Sequence, residues 1–335
     1  MSTTYTGVGS ASQAPSPVPA PGAAAEVVIP ADGEAESAAS ITQLAKVPAD
    51  WVTALFGAYY APGFFGDGND GNVTFDGAAT VLGLVPSSSI YTATRDIYAN
   101  NCTVTGASTV LKMNGYRLYV KGTLTTSGGA KVTASGNDGA GAGGSGGAAI
   151  SDASVGGSVA GGNSGSNAGA NVASAYGGVG GGGSGGAAGS NGGTVTAPAA
   201  SLGTPRSSPN LGQLIGGGAI ALARGGSGGG GGQGGVGGGG GGGGGTLAIS
   251  ARTVNLASAG DLVASGGKGG DAGPANSGGG GGGGGGVLIL QYASKNAVTF
   301  SAATNCPGGA GGAKTGAGVA GQTGANGAVF EIPLA

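Results

Sequence analysis

Two tracts of nine consecutive glycines, residues 237–245 and 278–286, most constrain what this chain can fold into. Glycine loses more conformational freedom on folding than any other residue, so a single tract of this kind is expected to be a flexible linker. Here, however, each tract runs directly into an apolar stretch typical of a β-strand, residues 246–250 and 287–291. Because tract and strand recur together, the sequence predicts a built structure.

The strand-like stretches recur as units of strand, turn, second strand and glycine-rich excursion. Residues 118–124 with 131–139 resemble residues 247–254 with 261–270. Residues 288–291 with 297–305 form a third copy, and residues 328–332 suggest a closing strand. The period from Thr246 to Val287 is 41 residues, within the range of repeat architectures that bury a core by stacking.

The excursions predict a particular backbone geometry. Glycine can adopt the left-handed helix of the polyproline II type, in which nine residues span about 28 Å without internal hydrogen bonds. The N–H and C=O groups of such helices need partners on neighbouring helices. We therefore predict a polyglycine-II helix bundle, which valine at Gly241 or Gly282 would disrupt. Disordered glycine loops are the alternative.

Composition excludes several classes of protein. Glycine is 87 of 335 residues, charged residues are 8%, and a mean hydropathy of +0.17 with a net charge of -2 is unlike a disordered chain. The 14 prolines and the glycine runs do not fit collagen. The 12 basic residues form no cluster, so no nucleic-acid partner is expected. We also expect no membrane span and no secretory signal. Histidine is absent, which removes the usual general base and metal ligand. We predict no catalytic residue, no cofactor and no metal site.

Residues 1–36 read as an extended Pro/Ala-rich arm, because prolines at alternate positions from Pro15 to Pro21 favour extended geometry. This arm is either a disordered tail or a tether to a larger assembly. Residues 37–66 are predicted to be a short helical attachment region, with apolar residues at helical spacing and a break at Pro48.

Residues 67–136 carry the densest β signal and are predicted to be a β-rich domain. Short β-rich runs alternate with turn signals, of which Asn114-Gly115 is the strongest. Asp67, Asn69 and Asp70 favour a plain turn over a calcium site, because the glycine and glutamate of an EF-hand loop are missing. The two cysteines, Cys102 and Cys306, leave open either a disulfide or two buried thiols.

The predicted fold class is therefore mainly β. It consists of short-strand β-solenoid or sandwich-like repeats whose glycine-rich excursions form a polyglycine-II helix bundle, preceded by short N-terminal helices. Residues 137–335 are the predicted glycine-rich polyglycine-II domain with interleaved strands.

Several stretches resemble known proteins of tailed bacteriophages. Residues 67–75, 94–104 and 114–124 resemble the opening of glycine-rich proteins found in such phages and on some bacterial surfaces. The glycine tracts resemble the polyglycine-II domains of phage tail-fibre tip adhesins, and residues 27–40 resemble an N-terminal attachment region of phage fibre proteins.

The resemblance implies a non-enzymatic virion structural protein, namely a phage tail fibre, spike or tip adhesin exposed on the particle surface. Its N-terminal part would attach to other virion proteins, and its glycine-rich domain would contact a host-surface receptor. Homotrimers are expected, as is common for fibre proteins. The alternatives are a bacterial cell-surface or matrix protein and, ranked lower, an ice-binding protein.

Two sets of candidate residues follow. The apolar residues expected to attach the chain to a particle are Val27, Ile29, Ile41, Leu44, Val47, Trp51 and Leu55. The polar residues that interrupt glycine, and are expected in exposed contact loops, are Asp152, Asn163, Asn167, Arg206, Asn210, Asp271 and Asn276. Asp96, Asp261 and Asp271 are the candidates for a pair of catalytic carboxylates, but their turn-like contexts disfavour that role.

Overall fold

The computed structural model describes residues 64–165, 180, 236–274 and 276–334. Two short helical elements occur within these residues, a 3-10 helix at Ala259–Asp261 and α1 at Ala302–Asn305. The strands of the described residues are β1 (Asn72–Phe75), β2 (Ile90–Thr92), β3 (Ile97–Ala99), β4 (Asn101–Thr105), β5 (Val110–Lys112), β6 (Arg117–Ser127), β7 (Lys131–Thr133), β8 (Thr246–Asn255), β9 (Leu262–Val263), β10 (Val287–Lys295) and β11 (Ala328–Pro333).

The strands form two sheets in which every pair of named strands is parallel. The seven-stranded sheet has the order β1-β4-β6-β8-β10-β11, and β3 also pairs with β6. The four-stranded sheet has the order β2-β5-β7-β9. Parallel neighbours need long crossover connections, and here the chain crosses to the other sheet or runs through glycine-rich segments before it returns.

The repeat period seen in the sequence reappears as the pairing register of the larger sheet. Val287 in β10 lies opposite Thr246 in β8 on one side and opposite Ala328 in β11 on the other. Successive strands therefore place equivalent residues side by side.

Side chains from both sheets meet in one hydrophobic core. Leu111 and Val132 of the smaller sheet and Leu118, Leu247 and Leu288 of the larger sheet are all fully buried in it. Strand β10 is apolar on both faces, because Val287 and Ile289 pack in a second cluster, with Phe330 and Ile332 partly buried against it. Such continuous apolar runs are typical of strands in parallel sheets.

The predicted fold class is wrong. The described residues form a layered arrangement of two parallel sheets, not a solenoid or sandwich of short strands with a polyglycine-II helix bundle. The strands that organise the fold are long, with 11 residues in β6 and 10 in β8. Their apolar side chains form the core, whereas the glycine-rich residues form extended connections between strands.

One local expectation is confirmed and another needs correction. Asn114 and Gly115 do form a tight turn, with φ angles of 48° and 87° and a hydrogen bond of 2.9 Å from the Tyr116 N–H to the Met113 carbonyl. This turn joins β5 to β6, which lie in different sheets, so it does not close a hairpin. The third repeat lacks its second strand: α1 stands there instead, because Ser301 caps the Ala-Ala-Thr-Asn sequence by accepting the Thr304 N–H.

The extended glycine segments hydrogen-bond to one another with a spacing of three residues. Backbone N–H groups of Gly238, Gly241 and Gly244 donate to the second tract at distances of 2.9 to 3.1 Å. Segments meet so closely that a Cβ atom at Gly241 would lie 2.0 Å from the Gly267 carbonyl oxygen. These contacts fix how far each segment extends from the sheets.

Candidate contact surface

The turns at the end of the glycine segments remote from the sheets form the candidate contact surface. Near the sheets, the Gly245 N–H donates to the Ala134 carbonyl over 2.7 Å, and farther out the Gly239 N–H donates to Ala140 over 2.8 Å. Beyond this point the segments reverse direction. We refer to residues 141–146, 163–165, 271–274, 276–277 and 313–319 as the distal turns.

Backbone hydrogen bonds join these turns into one surface. The Ala142 N–H donates to the Asp271 carbonyl over 2.9 Å, and the Ala272 N–H donates to the Ala313 carbonyl over 2.8 Å. The Ser164 N–H reaches the Gly144 carbonyl over 3.1 Å. The reversals use left-handed backbone at Gly143, Gly165, Asn276 and Gly316, a conformation that glycine and asparagine tolerate best.

Three of the predicted contact residues lie in these turns, and each is exposed. Asp271 accepts the Ala313 N–H over 2.8 Å and pairs with Lys268 over 3.1 Å. The Ala313 N–H and then the Lys268 ammonium group lower the pKa of Asp271 below its usual value. Asn163 and Asn276 use their Oδ1 atoms to accept the N–H groups of Gly146 (2.9 Å) and Ala317 (2.8 Å). One side of each side chain thus fixes a turn while the other faces solvent.

Asp152 is not part of this surface. Its carboxylate accepts the Gly157 N–H over 2.6 Å, and the Val155 N–H donates to Gly115 over 2.9 Å. This segment therefore returns to the turn between β5 and β6, at the opposite end of the glycine segments. Glycine-interrupting residues were expected in contact loops, but their chain position alone could not show at which end they lie.

The sequence analysis did not predict the distal turn at residues 313–319. Lys314 is exposed there, and Val319 is 57% exposed, which is unusual for a large apolar side chain in this structure. The available signal was the interruption of glycine by Ala313-Lys314-Thr315, similar to the one at Asp271.

The remaining candidate residues lie outside the described residues. They are the predicted contact residues Asn167, Arg206 and Asn210, and the predicted attachment residues Val27, Ile29, Ile41, Leu44, Val47, Trp51 and Leu55. The predicted helices within residues 37–57 also lie outside them.

Asp96 and Asp261, two of the candidate catalytic carboxylates, accept hydrogen bonds from nearby groups. Asp96 accepts the Arg117 N–H over 2.8 Å and the Ser154 hydroxyl. Asp261 is buried and accepts the Thr126 hydroxyl over 2.6 Å and the Ser258 N–H over 2.9 Å. These bonds hold both carboxylates within local structure.

Within the described ranges, no group of three or more His, Cys, Asp or Glu side chains could hold a metal ion. The Asn69 N–H donates to Asp67 over 3.0 Å, as in a turn, and Asp70 forms an ion pair with Arg95 over 2.6 Å. Cys102 and Cys306 are buried free thiols.

The comparisons with known proteins add no family. No protein-family model matches the chain, and no curated protein or solved structure shows significant similarity to it. In the part of the chain that the structure describes, no helix is both long and apolar enough to cross a membrane.

Proposed function

We propose that this chain is a non-enzymatic structural protein of a virus particle, a tail fibre, spike or tip adhesin of a tailed bacteriophage. In this proposal the N-terminal part docks to other virion proteins and the distal turns face the host surface. The sequence resemblance supports the class of protein, and the arrangement of the glycine segments supports the orientation.

One observation carries the proposal. Backbone packs against backbone along the glycine segments, so side chains find room mainly where segments turn. At Gly282 a Cβ atom would lie 1.9 Å from the Gly309 carbonyl oxygen, whereas Lys314, Val319 and Asn276 extend from the distal turns. Closely packed glycine segments that end in turns with room for larger side chains are suited to display contact residues on a fixed scaffold.

Copies of the chain are proposed to assemble as a homotrimer on the particle. Symmetric assembly is the rule for soluble oligomers. It would also give partners to strands at the sheet edges, such as β11, which pairs only with β10 among the described strands.

The location is tested by immunogold labelling of purified particles with antibodies against the folded chain. Gold at the tail tip or fibres is the expected result. Label on cell envelopes that carry no particles would refute the virion proposal and favour the alternative, a bacterial cell-surface or matrix protein.

The contact role is tested separately by host adsorption. Lys314→Glu in the distal turns should slow adsorption of particles, while Lys131→Glu, an exposed position in β7, serves as the matched control. Equal adsorption by the two variants would contradict a contact role for the distal turns.

A further inference from the structure

A regular array of small polar side chains covers part of the outer face of the seven-stranded sheet. Inward-facing neighbours such as Val73, Cys102 and Leu124 are buried in the core, so the alternate residues point outward. The outward residues form two columns across the strands, which we call the Thr/Asn array. The first column is Asn72, Asn101, Thr123, Thr253 and Ser294, and the second is Thr74, Thr103, Thr125 and Asn255.

The first column is held in place by its own hydrogen bonds. The Asn101 Nδ2 group donates to Asn72 Oδ1 over 2.9 Å, and the Thr123 N–H donates to Asn101 Oδ1 over 2.9 Å. The hydroxyl groups of Thr253 and Ser294 lie 3.1 Å apart. These contacts fix the side chains in one arrangement before any ligand binds.

The second column presents hydroxyl groups that remain available. Thr74, Thr103 and Thr125 lie side by side on three adjacent strands. Within the described part of the chain these hydroxyl groups make no hydrogen bond; Thr74 is exposed, and Thr103 and Thr125 are half-buried. Threonine is β-branched and stiff at χ1, so the hydroxyl and methyl groups of this column repeat with the strand spacing of about 4.8 Å.

The chemistry of the array selects its partner. Neither column contains a charged residue, so a phosphate or another anion finds no counter-charge there. Neither contains an aromatic side chain that could stack on a sugar or a base. Asp76 directly follows β1, and its carboxylate accepts the N–H groups of Ala78 (2.8 Å) and Ala79 (2.9 Å). Exposed Lys121 on β6 and Arg252 on β8 precede the first-column residues Thr123 and Thr253, so the second column is the neutral part of the array. Each hydroxyl group of that column can both donate and accept a hydrogen bond, as water does.

We propose that the Thr/Asn array binds ice. A repeating two-dimensional set of hydroxyl, amide and methyl groups can hold water molecules in a repeating order and so match a crystalline water surface. A single water molecule or small solute contacts only one or two groups of the array, whereas a crystal lattice contacts many of them at once. This inference goes beyond the proposed function, because it concerns a sheet face remote from the distal turns and does not depend on a virus particle.

The experiment measures thermal hysteresis and ice-crystal shape with the full-length protein. Thr103→Lys and Thr125→Lys each place a long charged side chain within the second column. Thr92→Lys is the matched control, because Thr92 is an exposed threonine in β2 of the other sheet. Circular dichroism of each variant checks that the fold is retained, since the lysine can extend into solvent.

The expected result is measurable hysteresis and faceted crystals for the natural protein and for Thr92→Lys, with loss of both effects in the two array variants. Absence of hysteresis in the natural protein would overturn the proposal. Retention of hysteresis in both folded array variants would overturn it as well. Pull-down by insoluble cellulose or chitin that is abolished by Thr103→Lys, without any effect on ice, would replace ice by a neutral polysaccharide.

Discussion

Replacing Gly241 with alanine should destabilise the protein, because the position has no room for a side chain. The added Cβ would lie 2.0 Å from the Gly267 carbonyl oxygen and 2.6 Å from its carbon. Ordinary van der Waals contact begins at 3.4 Å, so the segments must separate by about 1.4 Å. Three hydrogen bonds resist this: Gly241 N–H to Gly281 (2.9 Å), Gly267 N–H to Gly242 (2.8 Å) and Gly283 N–H to Gly267 (2.9 Å).

The cost follows from these contacts. Overpacking of a close-packed site costs about 1–3 kcal/mol. Stretching two or three backbone hydrogen bonds adds about 0.5–1.5 kcal/mol for each bond lost. Alanine offsets about 0.4–1 kcal/mol of this loss, because it lowers the conformational entropy of the unfolded chain. The net loss in the free energy of unfolding is therefore roughly 1–7 kcal/mol, and each kcal/mol lowers Tm by about 2–4 °C in a large domain.

Gly260→Ala is the matched control for urea and thermal unfolding. Its nearest neighbour would be the Ser258 Oγ atom at 3.7 Å, and its backbone is not in the left-handed region. It should change stability by less than about 1 kcal/mol. Gly282→Ala, with its Cβ 1.9 Å from the Gly309 oxygen, should behave like Gly241→Ala. If both tract variants unfold at the same urea concentration as Gly260→Ala, the close packing of the glycine segments described above is wrong.

Three further predictions concern other parts of the fold. The Arg95 guanidinium beside Asp70 lowers the pKa of that carboxyl below its usual value, so the pair stabilises the protein above that usual value and its contribution is lost as the pH falls through the lowered pKa. Asp70→Asn should cost up to about 1 kcal/mol at pH 7, and in urea titrations this difference should shrink as the pH is lowered into the acid range. Burial raises the pKa of both the Cys102 and Cys306 thiols to about 12, so neither should react with Ellman's reagent at pH 8 until the protein is unfolded, and early reaction in the folded protein would argue against their burial. Leu124→Ala should lower the free energy of unfolding by about 2–5 kcal/mol, because Leu124 is fully buried in the core, and a smaller loss in calorimetry would mean that the site collapses around the cavity.

Local strand positions could be predicted from the sequence, because β-branched and apolar residues mark them directly. Strands β4 and β7 lie among the short β-rich runs predicted within residues 67–136, and the period of 41 residues gives the register of β8, β10 and β11. The direction of pairing could not be predicted, since the same residues suit parallel and antiparallel strands. The turn at Asn114-Gly115 shows the consequence: its chemistry favours a hairpin, yet the buried side chains on either side of it belong to two sheets.

The end of the molecule at which a polar residue lies depends on segment length and on reversals that the sequence shows only as short interruptions of glycine. Asp152 and Asp271 look equivalent in sequence, but one segment returns to the turn after β5 while the other turns outward. The Thr/Asn array was missed for a related reason. Its members are spread over residues 72–294, and only the parallel register brings Thr74, Thr103 and Thr125 side by side.

The spacing of glycine along a segment indicates which of its faces pack against neighbouring segments. In the first nine-glycine tract, Gly241 faces Gly267 while the next residue, Gly242, faces Ala148, so adjacent positions meet different neighbours. In residues 318–327 only every third residue is glycine, and these glycines pack against backbone, as at Gly321 and Gly324. The residues between them, such as Thr323, have room for side chains that face solvent. An unbroken glycine tract therefore marks a segment enclosed by others, whereas a glycine at every third position marks one at the surface, where substitutions between the glycines should be tolerated.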